Sequence, residues 1–187
     1  KMSIYLISEQ AIKDNTILNE NVDPRLIAPA ILEAQDIHIQ TIIGSNLYNT
    51  VKGMIPSGVI SLTANVNYKT LLDSYIQPAL KYYVLSELVF PMTVKMLNKS
   101  VATRTGENSQ PVSMDDMAKV TEVYKNKAEW YAQRMVNYLK DNHTLFPEYL
   151  TNIPAGFSTI LPQKTSYTNG MFLGDDTPSN LGFDYPR

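Results

Sequence analysis

"SMDDMAKVTEVYKNKAEWYAQRMVNYLKD", residues 113–141, is the stretch that decides the fold. Ser113, followed three residues later by Asp116, resembles a capping box and predicts a helix start. Apolar and tyrosine side chains then recur every three or four residues, which places them along one helical face. These side chains are Met117, Val120, Tyr124, Ala128, Tyr131, Met135 and Tyr138. We expect this face to pack against the helix that precedes it in the chain.

The preceding segment predicts a second long helix. Asn65 or Asn67 is expected to cap it, and its pattern runs toward Leu97. Its polar residues share one stripe at about 100° per residue, which leaves the rest of its circumference apolar. Pro78 and Pro91 interrupt the pattern, so we expect a kink or break just before each. Two long antiparallel helices of this kind predict an all-α helical bundle.

Residues 99–112, "KSVATRTGENSQPV", connect the two long helices and are predicted to form a polar loop. Lys95, Lys99 and Arg104 make this connection locally positive. Such a cluster suits contact with an acidic neighbouring protein or with DNA phosphates, and a solvated loop fits it equally well. We therefore treat these three residues as candidates for an interface.

Shorter helices are predicted in front of the long pair. A cap at Ser8 and the Asp23-Pro24 pair mark two helix starts. Glycines at 44 and 53 mark two helix ends. The predicted spans are Ser8–Asn15, Asp23–Gly44 and Ser45–Lys52. Residues 1–150 are thus expected to form the helical bundle, and residues 151–187, with four prolines, four glycines and no helical period, an extended tail.

Composition limits the functions that this chain can serve. Lysine and arginine total 16 against 18 aspartate and glutamate, so no overall positive field exists and DNA binding as the main role is disfavoured. Charged residues make up 18% of the chain, below the roughly 25% usual for soluble domains, and tyrosine reaches 12 copies. A surface covered by partners and an asparagine-rich monomer surface both fit these totals.

Two further expectations follow from composition and from apolar runs. The absence of cysteine excludes disulfides, thiolate metal sites and cysteine nucleophiles. The N-terminal apolar run is too short for a signal peptide, and charged residues interrupt the longest apolar segment. We therefore expect neither export by a signal peptide nor a membrane-spanning helix.

The segment "ILEAQDIHIQTIIGSNLYNTV", residues 31–51, concentrates the polar side chains that could carry chemistry. On a helix Glu33 and Asp36 lie about 60° apart, while His38 points about 160° from Asp36, so one metal ion cannot bind all three. His38 lies on an apolar stripe, where it needs a hydrogen-bond partner. His143 follows a helix end, where it is expected to be solvated or to bond a carbonyl. No nucleotide-binding, zinc-protease or serine-hydrolase motif occurs, so we expect neither enzyme activity nor a cofactor.

The tail carries aromatic side chains on a segment that cannot form its own core. Aromatic anchors along an extended, proline-rich strand suit docking onto another subunit. Packing back along the same bundle is the alternative. The candidate anchors are Phe157, Tyr167, Phe172, Phe183 and Tyr185.

Four runs carry a family resemblance: "ILEAQDIHIQTIIGSNLYNTV", "YKTLLDSYIQPALKYYVLSELV", "NKSVATRTGENSQPVS" and "AEWYAQRMVNYLKDNHTLFPEYL". Together they resemble a family of helical head-to-tail connector proteins of tailed bacteriophages and of prophages of Bacteroidota, including crAss-like phages. The resemblance spans Ile4 to Leu150 and rests on an AQ-D-x-x-I and an LG-x-x-LY-like pattern. Ile43 replaces the leucine before Gly44, and the tail at 151–187 lies outside the resemblance.

The resemblance implies a virion structural protein at the portal vertex, present in the host cytoplasm before assembly. It implies a closed homo-oligomeric ring, commonly dodecameric, that binds the portal protein and neighbouring tail or ring proteins and links the DNA-filled head to the tail. DNA would pass through the bore without sequence-specific binding, and no catalytic residue is carried over. Residues of the 31–51 segment would serve in the core or in subunit packing, namely Ile31, Ala34, His38, Gly44, Leu47 and Tyr48.

Two other function classes remain open on the sequence. A DNA-packaging ring factor, similar to a small terminase, would need a basic helix that reads DNA. A helical ligand-binding protein would need polar side chains that converge on a pocket. Both requirements concern features of the folded surface, namely a basic helix and a polar pocket.

Overall fold

A computed structural model describes residues 3–96, 101–103, 113–150 and 160–162. These residues form α-helices around one core, with short 3₁₀ turns between them and one small β-hairpin. The predicted all-α bundle is confirmed. The helices are α1 (Glu9–Asn15), α2 (Pro24–Ala34), α3 (Gln40–Ile43), α4 (Ser45–Met54), α5 (Val66–Leu71), α6 (Gln77–Thr93), α7 (Met114–Asp141) and α8 (Pro147–Leu150).

Helices α6 and α7 pack against each other along their length and form the centre of the bundle. Helix α7 begins as predicted, since the Ser113 hydroxyl accepts the Asp116 N–H at 3.1 Å and donates to the Asp116 carboxylate at 2.7 Å. Met117, Ala128 and Met135 of the predicted face are buried. Val120 was expected to be buried with them, but its side chain is 42% exposed because it lies at the edge of that face.

The predicted starts of the N-terminal helices are confirmed by their caps. The Ser8 hydroxyl accepts the N–H of Ala11 at 3.1 Å, and the Asp23 carboxylate accepts the N–H of Arg25 at 2.9 Å. Each bond satisfies a backbone N–H that has no partner within its own helix. Helix α1 ends at Asn15, as predicted.

Two glycines at helix ends have different outcomes. Gly44 separates α3 from α4 with φ +80°, a conformation that favours glycine, and the predicted end there is confirmed. Gly53 was expected to end the next helix but lies within α4, which continues to Met54. The left-handed glycine after α4 is Gly58, with φ +68°.

The two prolines of the second long helix act differently. Pro78 lies in the first turn of α6, directly after a π-helical turn at Leu72–Ile76, so the predicted irregularity before it is confirmed. Pro91 does not break α6, which passes through it and ends at Thr93 rather than at Leu97. A proline so close to a helix end removes a single hydrogen bond and is followed by little helix to distort.

A short β-hairpin follows α6. Strand β1 (Val94–Met96) pairs antiparallel with β2 (Val101–Thr103), and Val94 lies opposite Thr103. The prediction of a plain loop over 99–112 is therefore wrong at residues 101–103. A strand of three residues gives too short an alternation to be recognised in a polar sequence.

Two glutamine side chains attach the N-terminal segment to the bundle. The buried Gln35 amide accepts the Leu6 N–H at 3.1 Å and donates to the Ile4 carbonyl at 2.9 Å. Gln77 donates to the Leu6 carbonyl at 3.0 Å. Leu6 and Ile7 are buried as a result, so the segment before α1 is part of the core.

Residues Ile160–Pro162, called the strap below, lie on the junction of α3 and α4. The Ser45 N–H donates to the Ile160 carbonyl at 2.9 Å, and the Ile160 N–H donates to the Ser45 hydroxyl at 2.9 Å. Pro162 is buried against Gly44, where a β-carbon would come within 2.9 Å of the proline Cδ. At these three residues the tail packs on its own chain.

Candidate interaction surface

His38 has the partner that its position required. Its Nε2 lies 2.9 Å from the Glu87 carboxylate, and its ring stacks on Tyr83 with centroids 4.1 Å apart. Because a carboxylate only accepts hydrogen bonds, Nε2 carries the proton in this pair. The expectation of a hydrogen-bond partner is confirmed, and the contact joins the α2–α3 region to α6.

Asp36 forms a second polar contact on the other side of the same segment. The Tyr48 hydroxyl donates to its carboxylate, and the Lys52 ammonium donates to the same carboxylate at 3.2 Å and to the Tyr48 oxygen at 2.9 Å. Burial raises the pKa of Tyr48, and the hydrogen bond to Asp36 raises it further. The phenol is therefore held as a hydrogen-bond donor, which suits a structural role and not that of a base.

Of the six residues singled out for core or subunit packing, all but the partly exposed His38 lie inside the subunit. Ile31, Ala34 and Leu47 are fully buried, and Tyr48 and Gly44 are also buried. Their cover comes from this chain's own helices. These side chains are therefore not available to a neighbouring subunit.

Tyrosines at seven-residue spacing join α6, α7 and the π-helical turn between α5 and α6. Tyr75 stacks on Tyr138 with ring centroids 4.0 Å apart, and Tyr82 stacks on Tyr131 at 5.4 Å. Seven residues are close to two helical turns, so each tyrosine reappears on the same face. The repeated spacing in both segments is the sequence signal that would have predicted this pairing.

An exposed stripe runs along α7 beside these tyrosines. It consists of Val120, Val123, Lys127, Trp130 and Arg134, called the α7 stripe below. Trp130 is 63% exposed, and its ring contacts Tyr131 edge-on at 4.9 Å. Val123 is 52% exposed. A rigid helix thus presents large apolar side chains to solvent.

The two cations of the α7 stripe lie against aromatic rings. The Lys127 ammonium is 5.7 Å from the Tyr124 ring centre and 5.9 Å from that of Tyr82, and the Arg134 guanidinium is 4.9 Å from that of Tyr75. Such contacts hold the side chains close to the helix surface. Among the described residues no carboxylate lies within ion-pair distance of either cation. The α7 stripe is consequently both apolar and positive.

A second apolar surface lies where α6 ends and α7 begins. An open groove of about 450 Å³ runs between Val89 and Phe90 on one side and Met114 and Met117 on the other. Phe90 and Met114 are exposed. The rest of the groove lining is Ala118, Thr121, Glu122 and Lys125, all on α7. Its polar side chains thus come from one helix only, so the groove suits protein contact better than it suits catalysis.

Of the predicted interface residues, Lys95 lies within the described part of the chain, and the others lie outside it. Lys95 lies in β1, opposite Ala102 of β2. Lys99 and Arg104 lie outside the described residues, as do the tail aromatics Phe157, Tyr167, Phe172, Phe183 and Tyr185. His143 bonds the Lys140 carbonyl through Nδ1 at 3.0 Å, which confirms one of the two roles expected for it.

The described ranges offer neither a metal site nor a membrane-spanning helix. They contain no cluster of three or more histidine, aspartate or glutamate side chains arranged to hold a metal ion. Nor do they contain a helix with the length and apolar character needed to cross a bilayer. In residues 31–51, His38 is instead bonded to Glu87, and Asp36 is bonded to Tyr48 and Lys52.

Comparison with known proteins gives one match. No curated protein and no solved structure matches the chain. A model described as a family of unknown function, DUF6712, matches residues 39–157. The matched region runs from the π-helical turn before α3 through α8 and includes the whole α7 stripe. Since it covers well over half of the chain, the protein belongs to the DUF6712 family.

Proposed function

We propose that this chain is a virion structural protein, a head-to-tail connector that forms a homo-oligomeric ring beneath the portal protein. The observation that carries the proposal is the α7 stripe, an exposed tryptophan and two exposed valines on a rigid helix. Exposed apolar side chains grouped in this way are typical of a protein–protein interface. The resemblance to phage connector proteins supplies the assembly in which such an interface would be used.

The polar residues of the chain support a structural role in preference to catalysis. His38 is bonded to Glu87, and Asp36 is bonded to Tyr48 and Lys52. An active site needs such groups directed at one cavity, where a substrate can meet them. Here they join helices to each other, and the open groove beside Phe90 is lined mainly by apolar side chains.

The size of the α7 stripe fits weak contacts between subunits. Burying an exposed tryptophan and two valines removes on the order of 200 Å² of apolar surface, which contributes roughly 5 kcal/mol before the costs of association. Association itself costs about 4 kcal/mol or more, so this surface alone leaves pairwise binding weaker than millimolar. Free copies would then stay apart until a portal template raises their effective concentration.

Electron microscopy of the portal vertex of the encoding phage tests this proposal. We expect a closed ring of this chain between the portal and the tail, and its peptides in the mass spectrum of purified particles. Absence from purified particles would refute the proposal, as would isolated copies that do not form a ring. Mass photometry of the purified protein at nanomolar concentration should show monomers, and stable rings there would contradict the weak-contact step.

A further inference from the structure

We infer that the α7 stripe is the docking site for residues 171–187 of a second copy of this chain. The inference rests on the proposed function only in that both require copies to associate. It goes further by naming the two surfaces that meet. The segment reads "MFLGDDTPSNLGFDYPR".

The α7 stripe requires an occupant that is apolar and negatively charged. Val120, Val123 and Trp130 are exposed apolar groups, and Lys127 and Arg134 lie between and beside them. Covering an unpaired cation with an apolar surface removes its hydration without replacing it. An occupant with carboxylates at intervals avoids that cost.

A second α7 stripe does not meet this requirement. Two copies packed stripe to stripe would bring Lys127 and Arg134 of one copy toward the same residues of the other. Like charges in a partly desolvated interface oppose association. Asp116 lies on the same side of α7, one turn before Val120, but its carboxylate is already bonded to Ser113 and Lys119. Glu122 and Glu129 lie about 100° around the helix from Val123 and Trp130, outside such a contact.

The C-terminal segment does meet it. Residues 171–187 contain three aspartates against one arginine, a net charge of −2 (1 minus 3), and no lysine. Apolar side chains lie before and after these aspartates in the sequence. They are Met171, Phe172, Leu173, Leu181, Phe183 and Tyr185. The segment therefore offers the carboxylates that the α7 stripe lacks, together with apolar groups that can cover its valines and its tryptophan.

The lengths of the two surfaces also agree. From Val120 to Arg134 the helix rises by about 21 Å at 1.5 Å per residue. An extended chain covers that distance with about seven residues. Residues 171–187 are long enough to cover the whole α7 stripe with either the Asp175 and Asp176 region or the Asp184 region.

The position of the strap bears on which copy of the chain the segment contacts. It fixes Pro162 at the α3–α4 junction, and α3 packs on α7. The buried residues of α7, such as Ala132 and Val136, lie on the opposite side of this helix from the α7 stripe. Because the α7 stripe lies on the side of α7 away from these buried contacts, we assign the segment to the α7 stripe of an adjacent copy.

Disulfide trapping tests the inference with the full chain, which contains no native cysteine. Asn126→Cys places a thiol beside the α7 stripe, and Ser179→Cys places one in the segment. Mixing the two single variants under mild oxidation should give a disulfide between copies. Lys125→Cys, exposed and about 160° from Val123 around α7, is the matched control and should trap the segment at least about tenfold more slowly, since a tenfold difference corresponds to about 1.4 kcal/mol.

Charge reversal identifies the contact chemically. Lys127→Glu with Arg134→Glu should lower the yield of the Asn126→Cys disulfide about tenfold, the effect expected when two exposed ion pairs become repulsive. Adding Asp175→Lys and Asp176→Lys to the Ser179→Cys copy should restore it. Rescue of this kind requires direct pairing and cannot come from a folding defect.

Several outcomes would overturn the inference. Equal trapping at positions 126 and 125 would do so, as would disulfide yields that do not change on charge reversal. A disulfide that forms only within one chain of an Asn126→Cys, Ser179→Cys double variant would show that the segment docks on its own subunit. Displacement of the segment by a short DNA duplex in a salt-dependent way would make DNA the occupant.

The inference and the proposed function can fail separately. A ring in the particle with the α7 stripe facing solvent would refute the inference alone. A trapped contact between copies, in a protein absent from particles, would refute the proposed function alone.

Discussion

Gly44 combines a left-handed backbone with a close neighbour. Its φ is +80°, and a β-carbon there would lie 2.9 Å from the Cδ of Pro162. Gly44→Ala should therefore lower the free energy of unfolding by about 1–3 kcal/mol, because a non-glycine residue is strained there and the strap must shift. Urea denaturation of the full chain measures this change.

Gly53→Ala is the matched control at the same scale. Gly53 lies within α4, and nothing lies within 4 Å of the position of its missing β-carbon. Alanine there should raise the free energy of unfolding by about 0.5–1 kcal/mol, since glycine is unfavourable inside a helix. Equal destabilisation by both substitutions would refute the special role of Gly44.

The burial of Tyr83 predicts that the free energy of unfolding falls at alkaline pH. Burial, with a smaller contribution from the Glu129 charge, raises the pKa of Tyr83 to about 12. The unfolded phenol loses its proton from about pH 10, while the folded phenol keeps it. The unfolded state then binds fewer protons than the folded state, so stability falls as the pH rises from about 10 to 12.

Tyr83→Phe tests that fall. The variant should lose less stability than the parent protein between pH 9.5 and about pH 11.5, as measured by urea denaturation at both pH values. Tyr5→Phe, at an exposed side chain, is the control. The same pH dependence in the parent protein and the Tyr83→Phe variant would contradict the assignment.

Residue-level expectations from the sequence succeeded at most of the predicted caps, although Asn65 precedes α5 without a side-chain cap hydrogen bond. The caps at Ser8, Asp23 and Ser113 depend on a few neighbouring residues, and all three are confirmed. The bond from Tyr48 to Asp36 depends on how α4 turns back at Gly44, so a helical wheel of the segment does not show it.

At the scale of elements, the tyrosine pairs should stabilise the contact with α7 by specific ring stacking. Tyr75→Leu and Tyr138→Leu, made singly and together, should show a coupling free energy of about 0.5–1.5 kcal/mol in a double-mutant cycle. Thermal or urea unfolding of the four proteins gives this value. Tyr75 with Tyr124 is the control pair, and it should show a coupling close to zero because its members do not stack.

The boundaries that the sequence missed depend on packing between elements. Helix α6 stops at Thr93 because the chain pairs as a β-hairpin from Val94, a contact between segments that periodicity does not report. The π-helical turn at Gln35–Ile39 was likewise unexpected. Hydrophobic spacing predicts which face of a helix is buried, but it does not fix the number of residues in every turn.

At the scale of the whole molecule, the tail should be separable from the bundle. Ending the chain after residue 162 should leave the far-UV circular dichroism signal unchanged, because the described helices and the strap are retained. The shortened protein should no longer be incorporated into particles, as measured by quantitative mass spectrometry. Normal incorporation of the shortened protein would contradict the role proposed for the tail.

Ending the chain after residue 159 separates the strap from the rest of the tail. This change removes both hydrogen bonds between Ile160 and Ser45 and exposes the α3–α4 junction. The free energy of unfolding should fall by about 1–3 kcal/mol relative to the chain that ends at 162. Equal stability of the two proteins would show that the strap does not contribute to the fold.

The sequence predicts the bundle better than it predicts the candidate surface. Caps and periodicity located most helices, whereas the α7 stripe became visible only once α6 was seen to cover the other side of α7. Val120 illustrates the reason, since its spacing matches the buried face while its position leaves it exposed. Which apolar residues remain uncovered depends on where the neighbouring helix ends.

The π-helical turns at Gln35–Ile39 and Leu72–Ile76 have a consequence for relatives of different length. Such a turn holds about one residue more than an ordinary α-helical turn, so deleting one residue there restores a regular helix. A deletion elsewhere in α6 would rotate one part of the helix by about 100° against the other and misplace its buried side. Single-residue gaps between relatives should therefore accumulate at these two turns, inside helices, where insertions and deletions are usually least tolerated.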